Sequence, residues 1–599
     1  MGITLLVSPA FADVASIGRD GIDSSSLMLS GAGIGIGMVD AGRPGKVGVD
    51  DAMHSDMTID PEEVYVGTAM PVQNQGVDDH GQIVAGVMIG TDLAGEGVAT
   101  EANLYASALA PGNFQQQSAI ALQHIANRQG GAIAAINISY GLTLGSDMTD
   151  GSSLLTQYID WSSRVHDTLY VQSADEMTPT IPSSPIPKDD YNGVTVGASL
   201  KIGDVFRKVA DFNFYGGDAD GARTSVDILA PGEDIFSLNA AGNLVSADGT
   251  SVAAPHVTGT VALLQEYAEA RIIDTGGPLW KPAPNANARR HEVMKAVLMN
   301  SADKLEDTGD GMRLGMSRTV LKKDGSNWLT TDAYTERGIP LDLEMGAGHL
   351  NARRALQQFS SGEIDATVPA GTVVPQIGWD YANTGDTGSF VNEYVFEDPL
   401  PAGSFVSITL AWDRIVNLDM DAGTTGEYDV NDTFESVGFN DLDIYLLPQG
   451  STTIDDAVWS SISADSNLEH LFFQIQTTDM YEFWAYEFDS PIQLGTDYAI
   501  AWWAFNGPTG TAGTGDYNGD TIVDSEDYDL WRASFGSTTN LAADGNGNQV
   551  IDAADYVVWR DTLGATLGAG TAAVPEPSSV MLLAFACAFA VLQGQLRSR

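Results

Sequence analysis

Gly249-Thr250-Ser251-Val252-Ala253-Ala254-Pro255-His256-Val257-Thr258-Gly259 is the stretch that decides the fold class of this 599-residue chain. It places a serine between a glycine and a predicted amphipathic helix, and Pro255 suits the first helical turn, where a missing N–H is no loss. A hydroxyl at a helix N-terminus lies where backbone N–H groups stabilise a developing anion. Taken alone, Gly-Thr-Ser is more often only a helix cap, so the functional interpretation depends on the rest of the sequence.

Two further segments complete a catalytic pattern around Ser251. Residues 249–259 resemble the nucleophile motif of the subtilase family. The resemblance implies an aspartate after an early buried strand, which Ile36-Gly37-Met38-Val39-Asp40 supplies, and a histidine in an H-G-x-x-V-A-G segment, which begins here at His80. The order Asp, His, Ser is that of subtilisin. By this resemblance Ser251 attacks a scissile carbonyl, His80 transfers the proton and Asp40 orients the imidazole.

The resemblance extends over residues 34–359 and implies further site residues. Ile136-Asn137-Ile138-Ser139-Tyr140-Gly141 is similar to the strand that pairs with an extended substrate, so Ser139, Tyr140 and Gly141 are predicted to bind substrate. In the oxyanion site beside Ser251, where the family has an asparagine, this chain has Asp175. An ionised carboxylate repels the anion, and losing the donor costs about 10² to 10³ in rate, whereas a protonated Asp175 donates. We expect a slower, pH-shifted or inactive enzyme.

Strand and helix patterns predict the fold class and the domain boundaries. Apolar β-branched runs alternating with helical stretches predict an α/β fold for residues 13–360, a subtilisin-like parallel sheet with helices on both faces. Residues 361–507 change to alternation without helices, which predicts an antiparallel β-sandwich. Several folding units are expected, because one core stops growing near ~250 to 300 residues. The stretches 508–514 and 566–573 are predicted linkers.

Residues 515–565 contain an internal repeat, whose two copies begin at Asp516 and Asp544. Each copy spaces carboxylate and amide oxygens as a loop around a hard cation requires, which predicts a small helical module with two Ca²⁺. The predicted metal-binding residues are Asp516, Asn518, Asp520, Ile522, Asp524, Asp527, Asp544, Asn546, Asn548, Val550, Asp552 and Asp555. The duplicated loops resemble a type I dockerin, which implies a cohesin-like partner; a calcium-stiffened spacer or adhesion module is the alternative. We predict no cofactor for catalysis.

The charge balance excludes one class of partner. The chain has 80 Asp and Glu against 28 Lys and Arg, a formal net charge of -52. Such a field repels a phosphate backbone, so we predict protein or peptide substrates and no nucleic-acid partner. Cys587 is the single cysteine, so an intramolecular disulfide is excluded.

Both ends of the sequence resemble export signals. Residues 1–12 end in Ala10-Phe11-Ala12, which has the form of a cleavage site; a truncated signal peptide is predicted, and an ordinary apolar N-terminus is the alternative. Residues 574–599 join Pro-Glu-Pro, an uncharged run at 578–596 and a basic end. This order resembles the PEP-CTERM sorting signal and implies a sorting transpeptidase, with a simple membrane anchor as the alternative. Both predict a secreted, cell-surface or outer-envelope protein.

Two functions from different classes follow. The first is an exported serine endopeptidase, which the intact Asp40, His80 and Ser251 set favours. The second is a surface binding or scaffold protein that keeps the fold without the activity, which Asp175 favours.

Overall fold

The computed structural model describes residues 16–563 with gaps. The residues not described within that span are 19–20, 26, 52–57, 93, 142–149, 175–185, 203–204, 209–222, 224–225, 276–286, 309, 365–370, 386–390, 420–425, 490–491, 493–494, 506–514, 516, 518–522, 524, 538–542, 544 and 546–549. The chain divides into two compact units, Met1–Ala512 and Gly513–Arg599. The boundary predicted at residue 360 therefore lies inside the first unit.

A mainly parallel sheet organises the first part of this unit. The strands are β1 (Gly35–Asp40), β2 (Glu63–Val66), β3 (Asn103–Ala108), β4 (Ile133–Ile138), β5 (Leu169–Ser173), β6 (Val194–Ile202), β7 (Val205–Lys208), β8 (Ile228–Pro231), β9 (Ile235–Leu238), β10 (Leu244–Ala247) and β11 (Thr319–Leu321). The sheet order is β11-β7-β6-β5-β4-β1-β3-β2, with β8 beside β6. Its pairs are parallel except β6 with β7. Strands β9 and β10 form a separate antiparallel pair.

Helices cover both faces of this sheet. They are α1 (Asp79–Ile89), α2 (Phe114–Ala126), α3 (Leu154–His166), α4 (Thr250–Thr275), α5 (His291–Asn300), α6 (Asp332–Thr335) and α7 (Ala352–Ser360). Side chains of a strand alternate between faces: Ile36 and Met38 of β1 share a core with α1, α4 and α5, and Val39 shares another with α2 and α3. The predicted subtilisin-like α/β fold is confirmed.

Antiparallel sheets follow in the same unit. Their strands are β12 (Thr372–Val374), β13 (Ile377–Asn383), β14 (Val391–Phe396), β15 (Phe405–Trp412), β16 (Ile415–Asp419), β17 (Thr433–Gly438), β18 (Asp441–Pro448), β19 (Trp459–Ser461), β20 (Leu468–Gln474), β21 (Tyr481–Asp489) and β22 (Asp497–Trp503). The orders are β12-β14-β21-β18-β19 and β13-β22-β15-β20, with β16 and β17 as a hairpin. The β12–β14 pair is parallel. The two larger sheets share one core, to which β15 contributes Val406, Ile408 and Leu410.

The polar face of β15 is buried as well, against α5. Ser407 Oγ and Thr409 Oγ1 lie 2.8 and 3.1 Å from Asn300 Oδ1 at the end of that helix. Every residue of α5 is buried. The alternating pattern of β15 therefore serves two interfaces, and the second sheet covers a helix of the α/β domain.

The second unit contains two short helices, α8 (Ser525–Ser534) and α9 (Ala553–Thr562), one after each predicted calcium loop. Its small core includes Tyr517, Val523, Ala543, Ile551 and Trp559. Among the described residues, no helix has the length and apolar character needed to cross a membrane. The predicted sorting segment 574–599 and signal segment 1–12 lie outside the described residues.

Candidate active site

Asp40 is a buried carboxylate at the carboxyl end of β1, as predicted, with 1% of its surface exposed. Its Oδ1 accepts a hydrogen bond from Ala41 N at 2.6 Å, and its Oδ2 lies 2.9 Å from His80 Nδ1. Burial raises the pKa of Asp40, and the contact with His80 offsets part of that effect. The carboxylate is thereby fixed in one orientation.

His80 is the second residue of α1, and its position follows from the helix start. Asp78 caps the helix, accepting a hydrogen bond from His80 N at 2.8 Å. The His80 side chain is 45% exposed even though its partner Asp40 is buried. Since Nδ1 faces Asp40, Nε2 lies on the opposite side of the ring. This arrangement suits proton transfer at Nε2.

Ser251 is the second residue of α4 and is partly buried. Its Oγ lies 3.3 Å from Ser139 O, and Ser139 Oγ donates to Ser251 O at 3.0 Å. The prediction that Pro255 lies in the first helical turn is wrong, because α4 begins at Thr250 and Pro255 is inside it. Pro255 has no N–H to donate to the carbonyl of Ser251 four residues earlier. The Ser139 hydroxyl donates to that carbonyl instead.

The three residues lie at one edge of the sheet. Strands β1 and β4 are adjacent and parallel, with Val39 opposite Ile138. Asp40 is the last residue of the first strand, and Ser139, which holds Ser251, follows the second. The carboxyl edge of a parallel sheet is where α/β enzymes build their sites. The structure thus pairs Asp40 with His80 directly and places Ser251 at the same edge.

Part of the chain is similar to known proteins. Residues 20–317 match the subtilase family, Peptidase_S8. We call these residues the subtilase domain after this match. A subtilisin of Bacillus sp. (strain TA39) is 28% identical over 267 residues, 42% of this chain and 60% of the relative. An intracellular serine protease of Paenibacillus polymyxa is 38% identical over 60 residues, 10% of this chain and 18% of the relative.

Solved structures also match the subtilase domain. A structure described as an S41 psychrophilic protease is 21% identical, and the match covers 57% of this chain and 98% of that chain with a TM-score of 0.38. The prenylagaramide maturation protease PagA is 18% identical, with coverages of 56% and 96% and a TM-score of 0.37. The chain spans only part of the curated relatives that it matches, 60% and 18% of the two given above.

The predicted substrate segment of the subtilase domain differs in part from expectation. Strand β4 ends at Ile138, so Ser139, Tyr140 and Gly141 lie beyond the strand and not in it. Exposure rises along them, from buried Ser139 to exposed Gly141. Ser139 is held by Asn137 Nδ2, 2.9 Å from its Oγ, and by its contacts with Ser251. Its hydroxyl therefore positions Ser251, a role that the sequence did not predict.

Asp175, the predicted oxyanion residue, lies outside the described residues. Ala174 just before it is described, and its carbonyl accepts hydrogen bonds from Thr250 Oγ1 at 2.7 Å and from Lys188 Nζ at 3.0 Å. The end of β5 is thereby tied to the residue that precedes Ser251. Lys188 is 5% exposed, so a buried ammonium lies near the site. The sequence around Lys188 contains no pattern that predicts its burial near the site.

Four of the predicted calcium ligands, Asp527, Val550, Asp552 and Asp555, are described, and the other eight lie outside the described residues. Asp527 Oδ1 accepts from Tyr517 N at 2.7 Å. Asp552 caps α9, its Oδ1 accepting from Ala554 N at 2.8 Å, and Asp552 N donates to Asp555 Oδ2 at 2.7 Å. These carboxylates therefore also have local structural roles at the helix starts. The two calcium sites stay a prediction.

Proposed function

We propose that the subtilase domain is a serine endopeptidase with Asp40, His80 and Ser251 as its catalytic triad. The observation that carries this proposal is the 2.9 Å contact of buried Asp40 Oδ2 with His80 Nδ1 at the sheet edge where α4 presents Ser251. An unassisted serine hydroxyl is a weak nucleophile, so a base oriented by a third group is the required partner.

The proposed reaction follows the arrangement atom by atom. Ser251 Oγ attacks the carbonyl carbon of the scissile peptide bond while His80 Nε2 accepts its proton. Asp40 stays ionised and stabilises the imidazolium through Nδ1. His80 then donates the proton to the leaving amine, and an acyl-enzyme forms on Ser251. Water repeats the sequence in reverse and releases the second product.

We propose that an extended peptide segment binds along Ser139, Tyr140 and Gly141, where the chain leaves β4 and becomes exposed. Backbone groups that leave a strand without a neighbour are able to pair with such a peptide. This segment starts at the residue that holds Ser251, so a bound carbonyl would lie close to the nucleophile. The proposed substrates are proteins or peptides.

Peptide hydrolysis tests the proposal. The purified chain is incubated with a denatured protein in calcium-containing buffer from pH 4 to 9, and products are read by mass spectrometry. Internal cleavage by the wild type but not by Ser251→Ala is expected, with Ser152→Ala, at an exposed serine, cleaving like the wild type. Equal cleavage by Ser251→Ala would mean a contaminating protease and would remove the support.

The second candidate is a non-catalytic surface protein with a subtilase fold. The feature that favours it is Asp175, a carboxylate in place of the family's neutral oxyanion donor. If this candidate is correct, Asp175→Asn creates the missing donor and raises a slow or undetectable rate by about 10² to 10³. The same variant leaves the rate unchanged if Asp175 already donates as a protonated acid.

We further propose that the chain is exported, with the 574–599 segment as a sorting signal or anchor, and that residues 515–565 bind two Ca²⁺. The repeat then acts as a cohesin-like partner's ligand or as a stiffened spacer. Calcium titration of the chelator-treated full chain tests the metal part. Two bound ions are expected for the wild type and one each for Asp520→Ala and Asn548→Ala, with Asp456→Ala, at an exposed site, as control.

A further inference from the structure

A second cluster of ionisable side chains lies away from the triad, in a cavity of about 180 Å³ between the subtilase domain and the antiparallel sheets. The N-terminus of α5 contributes Arg290, His291 and Glu292 to its lining, and Asp413 and Asp497 come from beside β15 and from β22. Asp167, at the end of α3, completes the cluster. The triad uses none of these residues.

His291 is at the centre of the cluster and is 3% exposed. Its Nδ1 lies 3.1 Å from Asp167 Oδ1 and 3.1 Å from Glu292 Oε2. Its Nε2 lies 3.0 Å from Asp413 Oδ1. One proton on Nδ1 donates a good hydrogen bond to only one of two carboxylates. The oxygens Asp167 Oδ1 and Glu292 Oε2 therefore both lie beside His291 Nδ1, and a single proton on that nitrogen does not form a good hydrogen bond with both.

Glu292 is the side chain that this arrangement leaves without a hydrogen bond at Oε2. It is 5% exposed, and its Oε2 accepts no hydrogen bond from any of the described residues. A buried carboxylate oxygen without a hydrogen bond is costly unless a charge compensates it. The oxygen lies within 4.8 Å of both the His291 and the Asp167 donor atoms. This oxygen is therefore placed to bind a positive ligand, a proton or a metal ion.

We propose that Asp167, Nδ1 of His291 and Glu292 bind one divalent transition-metal ion of the Zn²⁺ type. Imidazole and carboxylate ligands about 2.0 to 2.2 Å from Zn²⁺ lie roughly 3.0 to 3.5 Å from one another, and the 3.1 Å separations at Nδ1 match. Asp413 takes the other ring nitrogen, the outer-shell carboxylate contact that metal-ligating histidines usually have. Soluble Zn²⁺ is the probe that tests the assignment.

The charges around the cavity are compatible with such an ion. The carboxylates of Asp167, Glu292, Asp413 and Asp497 face two guanidiniums, with Arg290 3.6 Å from Asp167 and Arg164 3.8 Å from Asp413. A divalent ion with a neutral imidazole balances these charges. Because Asp167 and His291 belong to the subtilase domain and Asp413 follows β15, the bound ion strengthens the contact between that domain and the sheets.

Protons are the competing explanation. Burial opposes a charge on His291, but the charges of Glu292 and Asp413 outweigh it and raise the pKa of this histidine. Burial raises the pKa of Glu292 to about 7. A protonated His291 and a protonated Glu292 would also balance the cluster. If a metal ion balances the cluster, a chelator lowers the stability of the folded chain. If protons balance it, a pH change alone does so.

Zinc titration of the full chain distinguishes them. The protein is treated with chelator, dialysed into excess Ca²⁺ at pH 7.5 to fill oxygen-ligand sites, and titrated with ZnCl₂ by calorimetry. We expect one strong Zn²⁺ site, weakened more than tenfold in Glu292→Gln and about 10- to 100-fold in Asp413→Asn. Asp455→Asn, at an exposed carboxylate of the sheets, is expected to bind like the wild type.

Thermal unfolding and Co²⁺ absorption provide a second readout. One equivalent of Zn²⁺ is expected to raise the Tm of the wild-type chain and to leave that of Glu292→Gln unchanged. Co²⁺ in place of Zn²⁺ is expected to give visible absorption bands in the wild type alone. Absence of a strong Zn²⁺ site in the wild type, or equal binding by a folded Glu292→Gln, overturns the proposal. The cluster is then a proton-balanced one.

Discussion

Asp40 carries the clearest prediction at the scale of single residues. Asp40→Asn keeps an oxygen for Ala41 N but does not hold His80 in the tautomer that accepts a proton at Nε2. We expect kcat to fall by about 10⁴. The Tm should not fall, since the variant removes a buried charge. Peptide hydrolysis and thermal unfolding of the same preparation measure both, and a kcat within tenfold of wild type would exclude the orienting role.

The raised pKa of Asp190 leads to a prediction about how pH affects the stability of the fold. Its Oδ2 accepts from Gly193 N at 2.6 Å, and burial, with a smaller contribution from Asp160, raises its pKa to about 8. The folded state therefore keeps a proton that the unfolded state loses above about pH 4. This contribution to stability is complete below that pH and is lost as the pH rises through about 8.

Asp190→Asn keeps the acceptor for Gly193 N and cannot titrate. We expect its Tm to fall less than the wild-type Tm between pH 5 and pH 8, measured by calorimetry at constant ionic strength. Asp455→Asn, at an exposed carboxylate, should follow the wild type. Parallel curves for Asp190→Asn and the wild type would show that another group governs this pH dependence.

Residue types and spacing were enough to predict that Asp40 and His80 meet in the folded chain. Asp40 and His80 are 40 positions apart in the chain, yet each stands in a segment that repeats the family pattern, and they pair at 2.9 Å. Lys188 and His291 were not predicted, because what distinguishes them is burial beside distant carbonyls and carboxylates. Those partners come together only in the folded chain.

At the scale of elements, the start of α4 makes a prediction about Ser139. Its hydroxyl donates to the Ser251 carbonyl, which Pro255 cannot serve. We expect Ser139→Ala to cost about 1 kcal/mol of unfolding free energy and to slow catalysis. In a Pro255→Ala background the helix gains a backbone N–H for that carbonyl, so the same change should cost less.

A double-mutant cycle by denaturant unfolding measures this coupling. A coupling energy of about 0.5 kcal/mol or more between positions 139 and 255 is expected for residues that share one acceptor. Equal costs of Ser139→Ala in both backgrounds would show that the serine hydroxyl does not substitute for the missing helical hydrogen bond.

Strands were predicted well where the alternation of apolar residues alone determines them. Strand periodicity predicted the end of β1 at Asp40, the parallel sheet and the inward residues of β15. The predicted strand at Ser139 to Gly141 was wrong because β4 ends where Ser139 turns toward Ser251. Likewise Pro255 lies inside α4, since a serine side chain compensates for its missing N–H. Both errors have the same physical source, a contact over 112 residues of chain.

At the scale of the whole molecule, we predict that the subtilase domain does not fold without the antiparallel sheets. Arg414 Nη1 lies 3.1 Å from Asp160 Oδ2, and the two side chains are 8% and 0% exposed. Removing Arg414 alone takes from the buried Asp160 carboxylate the guanidinium of this ion pair, a loss of about 3 to 5 kcal/mol. Removing the sheets also uncovers α5, every residue of which is buried.

Two truncations test this prediction. A chain ending at residue 362 should be unfolded or aggregated by circular dichroism and size-exclusion chromatography. A chain ending at residue 512, which keeps the first compact unit whole, should unfold cooperatively near the wild-type Tm. A cooperative, soluble product of the shorter chain would contradict the account. Sequence patterns do not reveal this dependence, because Asp160 and Arg414 are 254 positions apart.

The proposal of a serine peptidase is tested most directly by labelling with a fluorophosphonate, which forms a covalent bond only with an activated serine. The full chain is labelled in calcium from pH 4 to 9, and the modified peptide is located by mass spectrometry. We predict a single adduct on Ser251, absent in Ser251→Ala and at least 100-fold slower in His80→Ala, as expected for loss of a general base. A folded wild type that gives no Ser251 adduct at any pH would contradict the triad and favour the non-catalytic surface protein.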